Sequence, residues 1–219
     1  MFIPLRDENP SGKFAFVNIG LILMNVAVFL YQLTLTPHAE RIFITANSMV
    51  PARIPALLNG YGSFEATFLP LLTSMFLHAG PAHILGNMLF LWIFGDNVEA
   101  AFGHFWYLVF YFVCGVGSGL AHIAFNLNSQ IPALGASGAI SGVLGAYMVL
   151  EPRNRILTWI GFIFVVPVPA VVVLGVWFLL QFLSGIGSLG TAVNGGVAVW
   201  AHIGGFLLGL FITLAVRRR

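Results

Sequence analysis

Charge is what this sequence has least of. Asp, Glu, Lys and Arg together make up 7% of the residues, against a hydrophobic share of 59%. A water-soluble domain carries about a quarter of its residues charged, so water cannot be the main solvent of this surface. A lipid bilayer fits such a composition. Cysteine is nearly absent too. Cys114 stands alone inside an apolar run, which excludes an internal disulfide framework. The formal net charge of +2 is small and the basic residues sit at segment ends, which argues against nucleic-acid binding. No composition shift divides the chain, and its length suits one compact domain.

What is present is a series of apolar runs. A membrane helix needs roughly 20 apolar residues. Residues 16–35, 82–101, 105–125, 137–150, 169–183 and 197–216 meet or approach that, which predicts six spans in an all-α bundle. The first run is longer than a signal-peptide core and has no small-residue cleavage site, so it is expected to be retained. The fourth is short and is expected inside the bundle. Residues 36–80 form a long mixed-polarity connection with Pro37, Pro51, Pro55 and Pro70, expected to hold short interfacial helices. Residues 156–168 are apolar but interrupted by Pro167 and, just beyond, Pro169. They are expected to extend the fifth helix or lie in the interface, and that proline break marks the fifth helix as a candidate lateral gate. Arg6, Lys13, Arg153, Arg155, Arg217, Arg218 and Arg219 fall on one side of such a bundle, and Arg41 and Arg53 on the other. The positive-inside rule then puts both termini in the cytoplasm and the long first loop outside.

Polar side chains inside apolar spans are functional candidates. The second span opens with His83, followed one turn later by Asn87. Ser137 opens the fourth, between Ala136 and Gly138. His202 lies near the start of the sixth. In the predicted topology these four residues share the outer half of the bilayer. Two small-residue stripes accompany them: Ser137, Ser141 and Gly145 on the fourth span, and Ala201, Gly205 and Gly209 on the sixth. Small residues four apart let helix backbones approach closely in lipid. Ser141, Gly145, Gly205 and Gly209 are therefore expected to be packing residues, and the same approach would bring Ser137 to His202.

A serine hydroxyl becomes a nucleophile when a neighbouring base takes its proton, and histidine titrates near neutrality. The unpaired backbone N–H groups of Ser137 and Gly138, at a helix start, are candidate donors to an oxyanion. The Asn87 amide and the His83 ring are two more. Taken alone, Ser137 would read as a packing residue bonded to its own helix carbonyl, and His202 as a buried histidine or a proton relay. Asp96 and Glu99 lie toward the other end of the second span. Asp96 is 13 residues from His83, about 20 Å along a helix. The expectation is therefore a Ser–His dyad without a carboxylate, with Asp96 and Glu99 stabilising the inner end. His78 is expected to position its loop, and His38, His104 and His122 to be interfacial.

These motifs are His78; His83-Ile-Leu-Gly-Asn87; Gly135-Ala-Ser137-Gly138; and Ala201-His202-Ile-Gly-Gly205 with Gly209 beyond. In this order and spacing, over nearly the whole chain, the sequence resembles the rhomboid family of intramembrane serine proteases. The resemblance implies Ser137 as nucleophile, His202 as base, Asn87 and His83 as oxyanion donors, and no metal or other cofactor. It implies transmembrane protein substrates in a lipid bilayer, cut near the outer face of a cell membrane. Residues 1–15 would be a short cytoplasmic segment, 16–216 a six-helix peptidase domain and 217–219 a basic tail. Two positions depart from the family pattern. Leu69-Pro70 stands where many members carry Trp-Arg, and Ser141 stands where some carry an aromatic ring against the catalytic histidine.

Other classes fit less well. A zinc site of His78, His83 and His202 would lack both a His-Glu-x-x-His motif and a carboxylate base. A transporter would be expected to show an inverted repeat, and none is visible. A catalytically inactive binder of transmembrane helices would typically have lost the serine or the histidine.

Overall fold

The computed structural model describes residues 2–161, 163–188 and 198–217. Arg218 and Arg219, counted in the charge argument, lie outside them, as does Val197. Five long helices and one shorter one make the bundle: α1 (Phe16–Thr34), α6 (Pro81–Phe102), α7 (His104–Phe125), α8 (Ser137–Leu150), α9 (Ala170–Ser188) and α10 (Val199–Arg217). Four of them, α1, α7, α9 and α10, are each long and apolar enough to cross a membrane. A fifth crossing is reached only if α6 is joined to the helical turns of Phe64–Phe76, from which it is bent by 77°. The chain is thus a multi-pass helical membrane protein, with four or five such crossings among the described residues by length and composition.

The short helix α8 lies at the centre. Every residue from Gly138 to Tyr147 is buried, because Gly, Ala and Ser leave room for neighbours on all sides. Around it Phe94, Tyr107 and Phe206 fill the core together with its own Tyr147, while many other large apolar side chains point outward. Leu23, Trp92, Phe105, Leu180 and Phe211 are all exposed, the arrangement expected where lipid is the solvent.

The glycine stripes explain how close α8 and α10 come. A Cβ on Gly209 would lie 2.0 Å from the Gly142 carbonyl oxygen, and one on Gly205 would lie 2.1 Å from that of Gly138. From the other side, a Cβ on Gly145 would lie 2.1 Å from the carbonyl oxygen of Phe206. These are backbone-to-backbone contacts that only glycine permits. Ser141 bonds back to the Ser137 carbonyl at 2.6 Å, as small hydroxyl residues do in apolar helices.

Two expectations need correction. The bundle is not all-α. Residues 155–160 and 164–169 do not extend the fifth helix. They form β2 (Arg155–Ile160) and β3 (Phe164–Pro169), an antiparallel pair completed by β1 (Phe2–Asp7) in the order β1-β2-β3. The physical reasons are visible in the sequence. Both segments are rich in β-branched and aromatic residues. Gly161, at φ 66°, opens the turn between them. Proline is tolerated on edge strands, and Pro4, Pro167 and Pro169 all sit on the two edges. The second correction follows from the first: Pro167 and Pro169 precede α9 and do not break it.

The long connection holds α2 (Pro37–Asn47), α3 (Arg53–Leu58), α4 (Phe64–Phe68), α5 (Pro70–Thr73) and a 3-10 turn, Ser74–Phe76. Thr36 and Ser63 cap α2 and α4 through their hydroxyls. The Arg53 guanidinium ties the segment together by donating to the carbonyls of Thr45, Ser48 and Ala66 at 2.6, 3.3 and 3.1 Å. That clamp stands in a loop whose Leu69-Pro70 lacks an arginine. The segment is stitched to the strand-like approach to α8: Met49 and Ala133 exchange backbone bonds, and Gly135 N–H donates to the Ser74 carbonyl at 2.8 Å.

Candidate active site

Helices α6, α8 and α10 all start at the same end of the bundle, under this connection. Ser137 is the first residue of α8. Its Oγ lies 2.8 Å from Nε2 of His202, one turn into α10. His202 is buried and Ser137 half-buried. The pairing depends on glycines on both helices. Gly205, three residues after His202, presses on the Gly138 carbonyl. Gly138 itself would place a Cβ 2.0 Å from the Ser118 hydroxyl of α7.

The turn into α8 is shaped for the same purpose. Gly135 has φ 123°, a left-handed value that a side chain would strain. A Cβ there would also lie 2.7 Å from the His83 ring and 3.7 Å from the Asn87 amide nitrogen. So His83 and Asn87 both face the loop two residues before Ser137. No side chain caps the start of α8 at Ala136, so the first-turn N–H groups keep the open donor character of a helix N-terminus.

Asn87 is held from behind. Its Nδ2 is 3.0 Å from Nε2 of His78, which is fully buried. His78 is fixed in turn by Gln32 of α1, whose amide accepts from the His78 N–H and donates to its carbonyl, each at 3.0 Å. The chain Gln32–His78–Asn87 thus runs from α1 to the site. His83 accepts from the Ala79 N–H at 3.4 Å.

The carboxylates lie elsewhere. Glu99 accepts from Val17 N–H and Asn18 N–H at 3.0 and 2.7 Å, capping α1, and meets the His104 ring at 2.5 Å. Asp96 accepts from the Ser11 N–H. Of the three histidines, His78 meets Asn87, His83 meets the Ala79 N–H, and His202 meets Ser137 and Gln181.

One contact was not expected. His202 Nδ1 lies 3.0 Å from the amide oxygen of Gln181 on α9, and the Trp177 ring, one turn earlier on α9, packs 6.0 Å from the imidazole. The signal was present in the sequence. Gln181 is a polar residue inside an apolar span, and the rule that singled out Asn87 applies to it equally.

The fold and this geometry together define a class: a multi-pass helical membrane protein that sets a serine and a histidine from two helices against each other at one end of the bundle. The chain belongs to the rhomboid family, whose domain model matches residues 65–219. It is 36% identical over 127 residues to "Rhomboid protease GluP" of Bacillus subtilis, covering 57% of this chain and 24% of that protein. To "Rhomboid protease AarA" of Providencia stuartii it is 27% identical over 224 residues, 91% of this chain and 72% of that one. "Rhomboid protein 1, mitochondrial" of Saccharomyces cerevisiae matches at 31% over 157 residues, 67% of this chain and 42% of that one. The chain thus spans less than half the length of the first and the last of these relatives.

Proposed function

We propose that this protein is an intramembrane serine protease that hydrolyses peptide bonds in or near transmembrane helices of other membrane proteins. The observation that carries the reading is the 2.8 Å contact between Ser137 Oγ and His202 Nε2, made between two apolar helices. His202 takes the Ser137 proton as Oγ attacks the substrate carbonyl. The oxyanion is received by the backbone N–H groups of Ser137 and Gly138, by the Asn87 amide and by His83. His202 then gives its proton to the leaving amine, and water, activated by the same ring, releases the acyl group from Ser137. No metal or cofactor enters these steps.

In this reading α1, α6, α7, α8, α9 and α10 are six spans of a cell-membrane protein with both termini cytoplasmic. Residues 36–80 roof the site on the external side, and water enters beneath them. Substrate helices enter beside α9, whose outer residues Leu179, Leu180 and Leu183 are exposed. Support for a named protease comes from the relatives that carry that name.

Labelling with a serine-reactive fluorophosphonate, alongside cleavage of a reconstituted transmembrane substrate, tests the proposal. Wild type is expected to label and to cleave. Ser137→Ala and His202→Ala should do neither while keeping their thermal transitions. Cleavage by either variant would remove the dyad, and a wild type that neither labels nor cleaves would leave a binder of transmembrane helices.

A further inference from the structure

We propose that Gln181 is a positioning residue for catalysis: its amide oxygen fixes the tautomer and the orientation of His202, taking the place that a carboxylate occupies in a catalytic triad. This rests on the protease reading and goes beyond the Ser–His dyad.

A neutral imidazole carries one N–H. For Ser137 Oγ to donate its proton to Nε2, the ring hydrogen must be on Nδ1. That hydrogen points away from α8 and toward α9, where Gln181 Oε1 lies at 3.0 Å. An amide oxygen can only accept, so this contact selects the Nδ1–H form and leaves the Nε2 lone pair facing the serine. Without it, the two tautomers compete, and the wrong one presents an N–H to a hydroxyl that must give up its own hydrogen. Among the described residues no carboxylate takes this part: Asp7, Asp96 and Glu99 are engaged with backbone and side chains at the opposite end of the bundle.

The surroundings of Gln181 fit the assignment. Leu174, Trp177, Phe178, Gln181 and Gly185 recur at helical spacing on one stripe of α9. Leu174 is fully buried, and Gly185 packs against α10, its Cβ position lying 3.1 Å from Ile203. Trp177 meets His202, and Phe178 stacks on Phe206 with centroids 4.7 Å apart. An amide on this otherwise apolar stripe is unfavourable unless it has a partner, and His202 is that partner. The stripe also answers the missing ring at Ser141. Aromatic support of the imidazole comes from Trp177 on α9 and not from α8. When His202 becomes an imidazolium during attack, the same hydrogen bond becomes charge-assisted and strengthens, so its effect falls on the transition state.

Gln181→Leu removes the acceptor and leaves an apolar side chain of similar bulk. For a hydrogen bond to a charged group, the expected loss is about 10–100-fold in kcat, with KM for the transmembrane substrate little changed and an unaltered thermal transition. Gln181→Glu restores an acceptor oxygen, ionised or not, and should recover most of kcat. The ring itself is read by 15N NMR of histidine-labelled protein. Wild-type His202 should show a protonated Nδ1 and a bare Nε2, and Gln181→Leu a mixture of both forms. If Gln181→Leu fails to fold, Gln181→Met serves for the same comparison. Wild-type kcat in the variants, or an unchanged tautomer on removing the acceptor, overturns the assignment. Loss of kcat that Glu does not rescue, with an unchanged ring spectrum, reduces Gln181 to a packing role. The NMR result stands whether or not Ser137→Ala abolishes cleavage, so failure of this inference and failure of the protease reading are distinguishable.

Discussion

At Asn87 the amide nitrogen carries two hydrogens, and one contact with His78 uses only one of them. The other is available to the proposed oxyanion beside Gly135, whose Cβ position lies 3.7 Å from this nitrogen. Its donor is already oriented before substrate arrives, because Gln32 fixes His78 and His78 fixes Asn87. A preorganised donor acts mainly on the charge that develops in the transition state. Asn87→Ala is therefore expected to lower kcat by roughly 10²–10³ with a small change in KM. His78→Ala, which loosens the donor without removing it, should cost less. Steady-state kinetics on one transmembrane substrate checks both, and a change confined to KM in Asn87→Ala would move that residue from oxyanion binding to substrate contact.

Among elements, the pair α8 and α10 decides whether the site exists. Their contact is backbone on backbone, so no side chain can swing aside to admit a methyl group. Gly209→Ala would set its Cβ 2.0 Å from the Gly142 carbonyl oxygen, and relief requires the two helices to part. Overpacking of this kind destabilises by about 1–3 kcal/mol, and parting the helices also lengthens the Ser137–His202 contact two turns away. Gly209→Ala is expected to lower both the thermal transition and the cleavage rate. Gly175→Ala on α9, where nothing lies within 4 Å, should do neither. Equal behaviour of the two would show that the stripe is not the determinant. This interface was legible in the sequence because a small-residue stripe at helical spacing has few other uses in an apolar span. Ser137, His202, His83 and Asn87 were legible because polar groups are scarce in such spans. Less legible was anything held by a partner far away in the chain. The sheet depends on residues 2–7 meeting 155–160, and nothing local to either segment announces the other. Residues 156–168 leave both a helix extension and an interfacial segment open in the sequence, because hydrophobicity alone does not separate strand from helix in a short apolar run. Gln181 stands out in its apolar span as Asn87 does in its own, but its partner His202 lies 21 residues away on another helix, and nothing local to either announces the contact.

At the scale of the whole molecule, the two ends of the bundle are held differently. The end with Ser137 is covered by short helices and loop hydrogen bonds, such as those of Arg53. The opposite end is tied across the chain. β1 joins β2 and β3; Glu99 caps α1; Arg217 reaches the Val149 carbonyl; and Asn154 and Pro152 carbonyls receive the first N–H groups of α9. Asp7 is the knot of this end. Its carboxylate accepts from the Tyr147 hydroxyl at 2.5 Å, from the Asn97 amide at 2.7 Å and from the Asn9 N–H at 2.8 Å, so one side chain links β1 to α6 and α8. Burial raises its carboxyl above the ordinary 3.8 and outweighs the hydrogen bonds from Tyr147, Asn9 and Asn97, and Asp96 nearby pushes the same way. The folded protein then keeps a proton that the unfolded chain has already released. In the window that begins at 3.8 and extends upward to the raised value, stability must fall as pH rises. An Asp7→Asn variant cannot titrate there. It sets two amides together at Asn97, so a constant offset in stability is expected, independent of pH. Thermal unfolding in detergent, recorded from about pH 3 to pH 7, should give a wild-type-minus-variant difference that declines with rising pH and then levels off. A difference that grows with pH would mean that the hydrogen bonds to the carboxylate prevail over its burial, and that the ionised form is what fastens the first strand to the bundle.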